Sequence, residues 1–471
     1  MVTFVEAVKN TPVMTRTENG MKAQTSTLRE TVNLFFNGGA SRGKDITQQF
    51  ERAFQEDSEV ALRIAQWIRD IRGGAGERQN YRDILKHLER FHPEVLLETK
   101  ILNNVAEIGR WDDLLIFETQ EIKERAYTLI AMALGSGNSL CGKWCPRKGQ
   151  VAVELRNFMG LTPKQYRKLL VKLTNVVESK MCAREFDSIN FSHVPSVAMA
   201  RYTKAFAKRA PEAFAAYKES LKNGDPSVKI NASAVYPYDV IKNLNHSNEN
   251  VIADAQWKVL PDYMNDTDIL PMVDVSGSME IPVGGYNSKA KITCLDVAVS
   301  LGLYCADKNK GSFKDLFLTF SSNSKLVHLK GSLSEKYHQM KRSEWGMSTN
   351  LHSAFNQILS VALTNKIAQE DMPKVLLIMS DMQFDACTRF DDSALQMIRR
   401  NYEQAGYEVP NVVFWNLNSS GNVPCSFNEQ GVALVSGFSP SILKSVLAGD
   451  LESMTPEKIM LDTVMVDRYS V

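Results

Sequence analysis

The chain has 471 residues, 44% of them hydrophobic and 23% charged, with a formal net charge of +1 at pH 7. It is too long for one core of ordinary size, so two domains, or one domain with a large ordered partner, is the expectation. No apolar run approaches the roughly 20 residues of a spanning helix, MVTFVEAVKN lacks the form of a secretion signal, and seven scattered cysteines suit reduced thiols better than a disulfide framework; a cytoplasmic location without membrane contact is expected.

Residues 1–30 read as a polar, loop-like N-terminal arm. Apolar residues at three- and four-residue spacing then predict helices over 28–36, 45–54 and 58–70, separated at Gly38, Gly39 and Gly43. RDIRGGAGER interrupts them. Arg69, Arg72 and Arg78 bracket a glycine cluster whose free amides suit an anion. An interhelical turn with arginines capping the helix ends accounts for the same residues, and the Lys-Ser or Lys-Thr of a P-loop is missing.

Helical spacing resumes over 81–91, 93–105, 110–117 and 121–134. GSGNSLCGKWCPRKGQ follows as a loop in which Lys143, Trp144, Arg147 and Lys148 place an aromatic among cations. This suits a stacked base or a phosphate, or equally a Trp tucked into a helix junction. Cys141 and Cys145 lack a second pair at zinc spacing and read as buried thiols. Further helices are expected from 162, over 194–207 and 211–221, and at 237–244. Residues 1–250 hold 36 Lys and Arg against 29 Asp and Glu, a balance of +7; residues 141–230 alone hold 17 against 7. Such a face favours phosphate backbones, although each single cation can equally cover a solvated helix face. With no strand-like alternation before about 255, the first half is expected to be all helical.

From 256 onward strands and helices alternate. Strands are predicted at the LPMVDVSGSME run and over 315–320, 325–329, 374–380, 411–417 and 431–435, with helices over 289–308, 332–341, 350–365, 392–405 and 440–448. This is the text of a doubly wound sheet, whose ligand site lies at the carboxyl ends of the strands. Asp274, Ser276 and Ser278 leave the first strand at alternate positions, where oxygen ligands converge on one hard cation. Ser348-Thr349-Asn350 and Ser380-Asp381 add two more polar loops. The chance alternative is a solvent loop and a helix cap. Catalysis is not expected: Ser276 stands where a phosphotransferase needs its second acid, and a Ser276 nucleophile has only His352 as a nearby base.

Asp274, Ser276, Ser278, Thr349 and Asp381, in that order and at those strand ends, resemble the metal-ion-dependent adhesion site of a von Willebrand factor A domain. That resemblance implies Mg2+, or another divalent cation, with an open position for a partner's carboxylate. A helical half followed by such a domain is similar to the Ro ribonucleoprotein family, whose TROVE module is a ring of helical repeats. The motifs MVDVSGSM, STN, MSDMQFD and RGGAGERQNYRDILKHL carry this likeness. IGRWDDLL, SDMQFD, YEQAGYEVPNVVFWNL and LVSGFSP also look similar to an uncharacterised family of the same plan in plants and phages.

The fold expected is therefore α plus α/β. An arm over 1–30 precedes a HEAT-like, TROVE-like helical array over 31–255, which can close into a ring; a doubly wound von Willebrand factor A-like domain covers 256–471. The resemblance implies a non-catalytic monomer that holds structured or single-stranded-ended RNA, with Arg69, Arg72, Arg78, Arg110, Lys143, Trp144, Arg147 and Lys148 as candidate contacts. The rival is a scaffold whose metal captures an acidic residue of a protein partner, without RNA.

Overall fold

A computed structural model describes all residues except 1–10, 175, 243, 245–249, 265, 285–291, 321–323, 344–348, 387–391 and 449–450. Its first half is helical, starting with Glu30–Gly38, Thr47–Glu56, Ser58–Arg69 and Arg78–Phe91. Local chemistry sets the boundaries. Asp57 accepts the Val60 N–H at 3.0 Å and so starts the third helix. Pro93, Pro163 and Pro211 stand in first turns, where a missing N–H costs nothing.

Several expectations need correction. The segment 93–105 is two helices, Pro93–Glu98 and Ile101–Ile108. Thr99 divides them, its Oγ1 donating to Val95 O at 2.6 Å and accepting from Ile101 N at 3.3 Å. The segment 110–117 is a single 3-10 turn, Trp111–Leu115. The stretch expected as a loop contains the short helix Ser139–Trp144, capped by the Asn138 side chain on Cys141 N at 2.9 Å. A helix at Gln150–Phe158 was not expected. Nor is the arm only loop: Met14–Arg16 (β1) and Lys22–Gln24 (β2) pair as an antiparallel hairpin.

Six strands form the second half's sheet: Ile269–Asp274 (β3), Leu316–Phe320 (β4), Leu326–His328 (β5), Val375–Ser380 (β6), Asn411–Asn416 (β7) and Val432–Ser436 (β8). Their order is β5-β4-β3-β6-β7-β8, parallel throughout except for the β4/β5 pair. Every residue of β3, β6 and β8 is buried, as continuous apolar runs between helical layers require. Val273, Leu377 and Met379 share one core with Val297, Leu301 and Tyr304 of the Cys294–Lys308 helix. Met272, Leu376 and Ile378 share the opposite core with Phe355 and Ile358 of Leu351–Asn365. Chain order runs outward from β3 on one side and from β6 on the other, which makes the carboxyl ends of these two strands the binding edge. Asp274 and Asp381 lie at those ends.

The halves interlock. In Glu30–Gly38, every residue after Glu30 is buried, with Phe35 in one core and Phe36 in the other. Ser436 at the end of β8 closes this helix, donating to Phe35 O at 2.8 Å and accepting from Gly39 N at 3.1 Å. The arm crosses to the sheet through Thr17 Oγ1 on Phe384 O at 2.6 Å and paired Gln24–Val423 backbone bonds of 2.9 Å. In return, Tyr469 donates to Asp70 Oδ2 at 3.0 Å and Arg468 clamps both oxygens of that carboxylate. Among the described residues no helix is long and apolar enough to cross a membrane.

Candidate metal centre and basic surface

At the end of β3, both oxygens of Asp274 are engaged by neighbouring residues. Oδ1 accepts the Ser276 N–H at 2.9 Å and Oδ2 accepts Ser380 Oγ at 2.6 Å. The Ser276 and Ser278 hydroxyls lie 3.1 Å apart. Asp381, one residue past β6, accepts the Gln383 N–H at 3.1 Å, and Met382 between them sits at φ +66°, a left-handed conformation costly for a side chain of this size. Thr349 is placed by backbone: its carbonyl accepts Leu351 N at 3.1 Å and Asp385 N at 3.0 Å. Ser348 and the preceding Trp345-Gly346-Met347 lie outside the described residues. The structure therefore brings Asp274, Ser276, Ser278 and Asp381 to one edge, with Thr349 tied to the same loop through Asp385.

Asp274, Ser276, Thr349 and Asp381 are at most 3% exposed. Burial, and then the negative charge of Asp381, push the Asp274 carboxyl up to about 7, against the opposing hydrogen bonds from Ser276 and Ser380. Burial also raises Asp381, opposed by the Gln383 N–H and the Ser278 hydroxyl. Among the described residues neither carboxylate forms an ion pair, and Thr349 Oγ1 is buried with no hydrogen-bond partner. Two buried like charges and an orphaned hydroxyl are a donor set that suits a hard divalent cation. Asp274, Ser276, Ser278, Thr349 and Asp381 would hold it, the carboxylates supplying charge and the hydroxyls neutral oxygen.

The arm closes one rim of this site. Glu18 N donates to Gln383 Oε1 at 2.6 Å and Asn19 Nδ2 to Gln383 O at 2.7 Å. The sequence marks Ser380 only as part of a polar loop; its bond to Asp274, together with Gln383 and the arm's contacts, is not visible there, because the partners lie more than 100 or more than 360 residues apart.

The candidate basic contacts separate into two groups. Arg69 is 3% exposed and binds Asp113 at 2.8 Å, so it is a buried structural ion and not a surface contact. Arg82 binds Asp112 and Asp113, and Arg110 binds Asp112 at 2.8 Å while lying 3.7 Å over the Trp144 ring. Trp144 is thus stacked internally, with Lys143 paired to Glu178 at 3.2 Å. Arg72 donates to Glu107 O at 3.3 Å, and Arg78 is exposed, its guanidinium held below its usual range by burial and the charges of Arg110 and Arg82.

Arg147 and Lys148 stand apart from that network. With Arg156 and Arg167 they line a cleft of roughly 370 Å3 between Gln150–Phe158 and Pro163–Leu173, floored by Tyr166 and Leu170. Arg147 donates to Thr174 Oγ1 at 2.9 Å and Arg156 contacts the Asn157 amide. None of the four cations forms an ion pair among the described residues. Arg156 and Arg167 were missed as individual contacts; the basic excess over 141–230 was their only signal.

A helical array joined to a doubly wound sheet, with polar loops at the β3 and β6 ends, is the class these observations define. The chain belongs to the family of "Uncharacterized protein L728" of Acanthamoeba polyphaga mimivirus, to which it is 30% identical over 508 aligned positions, covering 94% of this chain and 86% of that protein. Two sequence families described as domains of unknown function match it: DUF2828 over residues 17–116 and 152–270, and DUF7788 over 268–467. Among solved structures, the Ro (RSR) protein of Deinococcus radiodurans aligns over 92% of this chain and 93% of that one, with 11% identity and a TM-score of 0.41. Proximal thread matrix protein 1 of the mussel byssus aligns over 39% of this chain and 46% of that one, with 13% identity and a TM-score of 0.26. At these levels neither structure carries a function across.

Proposed function

We propose that this protein is a non-catalytic RNA-binding protein of the Ro type, which holds structured or single-stranded-ended RNA on its helical half. The observation that carries the reading is the cleft lined by Arg147, Lys148, Arg156 and Arg167, four cations without acidic partners among the described residues. Surface cations in folded proteins are commonly offset by nearby acids, as Arg110 and Arg82 are here. Four left together attract a phosphate backbone and make its binding salt-dependent. The cleft, more than RDIRGGAGER, is the proposed contact region. Arg72, Arg78, Lys143 and Trp144 extend it at most as flanking contacts.

The sheet domain, read as von Willebrand factor A-like, contributes a second site, where Mg2+ would offer a Lewis-acidic position to a carboxylate or another oxygen ligand. Among the described residues, support for that part comes from the buried Thr349 hydroxyl without a hydrogen-bond partner and the two carboxylates without an ion pair. The same observation favours the scaffold reading, in which an acidic residue of a protein partner docks there without RNA.

Fluorescence anisotropy with a fluorescein-labelled RNA hairpin bearing a single-stranded 3′ end tests the first reading. Binding that weakens steeply with added salt and survives chelation is expected. Absence of salt-sensitive binding overturns it, and a partner captured only with Mg2+ transfers the function to the metal site.

A further inference from the structure

Outside the sites described above, one set of side chains has the composition of a transition-metal centre. Glu51 on Thr47–Glu56, His87 on Arg78–Phe91 and His92 at the end of that second helix converge, their ligand atoms all within 4.8 Å of one another. Both imidazole Nε2 atoms address a single carboxylate oxygen: Glu51 Oε2 lies 2.7 Å from His87 and 3.0 Å from His92. His92 is five residues from His87 and would point away on a continuous helix. It converges because it is the C-cap, leaving the helical conformation at φ −141°, ψ 54°.

We propose that Glu51, His87 and His92 bind a zinc-class divalent ion through one carboxylate oxygen and two imidazole nitrogens, with water completing the coordination. Such ions sit about 2.0–2.2 Å from nitrogen and oxygen ligands in a tetrahedral site, which puts ligand atoms about 3.3–3.6 Å from each other around the metal. The present nitrogen–oxygen separations of 2.7 and 3.0 Å are hydrogen-bond distances that need to open by about 0.3–0.9 Å to admit the ion. Ligand type selects the metal: two imidazoles suit zinc or its neighbours and are foreign to Mg2+.

The surroundings are those of a supported site. Gln55 Nε2 donates to the other Glu51 oxygen at 2.9 Å, leaving Oε2 to the histidines. Glu94 Oε1 lies 3.9 Å from His92 Nδ1, on the side of the ring away from the proposed metal. At 3.9 Å it is an ion-pair neighbour and not a hydrogen-bond partner; it would orient the ligating imidazole only after closing on Nδ1 by about 1 Å. Phe54 packs on His92 at 4.5 Å between ring centroids and Phe91 on His87 at 4.8 Å, while Phe50 meets His87 edge-on. The three ligands are 14–25% exposed, partly shielded yet open to an entering ion. A bound ion would join the second helix of the array to the end of the fourth, fixing the start of the helical half.

The test uses the full-length chain stripped by chelation and titrated with Zn2+ in excess Mg2+, which keeps the sheet-domain site out of the readout. One equivalent of zinc, retained through gel filtration, is expected for wild type, and His87→Ala and His92→Ala each lose it with an unchanged far-ultraviolet spectrum. Glu51→Gln weakens binding tenfold or more. X-ray absorption of the zinc-loaded wild type serves if a variant does not fold. It should show nitrogen and oxygen scatterers only. Sulfur scattering would put the ion on Cys141 and Cys145, whose thiols lie 3.9 Å apart, and overturn the assignment. Failure of wild type to hold zinc would leave Glu51, His87 and His92 as a hydrogen-bonded cluster alone.

Discussion

Ser380 Oγ donates to Asp274 Oδ2 at 2.6 Å, so the last residue of β6 fixes the carboxylate that ends β3. The two strands that flank the binding edge are thereby locked at their tips, and Asp274 cannot turn away when no cation is bound. Ser380→Ala should cost about 1–3 kcal/mol of stability by leaving a buried acceptor unsatisfied. It should also weaken Mg2+ by about 10–100-fold, as loss of a ligand's supporting hydrogen bond does at other metal sites. Isothermal titration checks the second effect; an unchanged affinity would show that the Ser380 hydrogen bond does not support a metal ligand.

The pH dependence of the metal-free protein has a defined sign. Asp274 is pushed up to about 7, whereas in the unfolded chain it titrates near its ordinary value of about 4. Between these values the native state binds more protons than the unfolded state, so stability falls as pH rises through the window. Asp381 is raised by the same burial and acts in the same sense. Denaturant unfolding in chelator should show wild type losing about 2–4 kcal/mol relative to Asp274→Asn between pH 4 and pH 7. Added Mg2+ should restore wild type and leave the variant unmoved. Parallel pH profiles for the two proteins would contradict the buried-pair account.

Arg69 and Arg167 should behave oppositely although both are arginines of the helical half. Removing Arg69 takes one of two guanidinium partners from Asp113, which is fully buried and keeps Arg82, and should cost about 1.5–3 kcal/mol. Arg167→Glu should stay within about 0.5 kcal/mol of wild type in stability. The same substitution should lower RNA affinity and reduce the salt slope by about one for the lost cation. Thermal melts and salt-dependent anisotropy on the two variants separate these roles.

Gly39 marks the seat of the first helix on the sheet. A Cβ there would lie 2.7 Å from Ser436 Oγ and 2.9 Å from its carbonyl oxygen, with backbone on one side that cannot yield. Gly39→Ala should therefore destabilise by about 1–3 kcal/mol. Paired loss of the Ser436 contacts should appear as faster hydrogen exchange at the end of Glu30–Gly38, and a neutral substitution would mean that the helix can shift.

What could be read in the sequence was whatever a short stretch contains. β3 and β6 are unbroken apolar runs, and the polar residues that end them announce the edge where they meet. The β1/β2 hairpin could not be read. Its strands are three residues long and held by Phe384 and Val423, far along the chain. Thr99 looks like a residue inside a helix until its hydroxyl is seen to end one and start the next. Arg69 carries no sequence mark of burial; only the position of Asp113 reveals it. Arg156 and Arg167 meet because two helices fold over the turn between them, and Glu51 meets His87 and His92 across 36 and 41 residues.

RNA is expected to lie on the cleft between Gln150–Phe158 and Pro163–Leu173. Ultraviolet crosslinking of bound structured RNA, followed by mass spectrometry of the attached peptides, tests it most directly. Crosslinks concentrated on residues 147–170, and lost when Arg147, Lys148, Arg156 and Arg167 are all changed to Glu, are the predicted result. Crosslinks confined to the sheet domain, or unchanged in the variant, would contradict it.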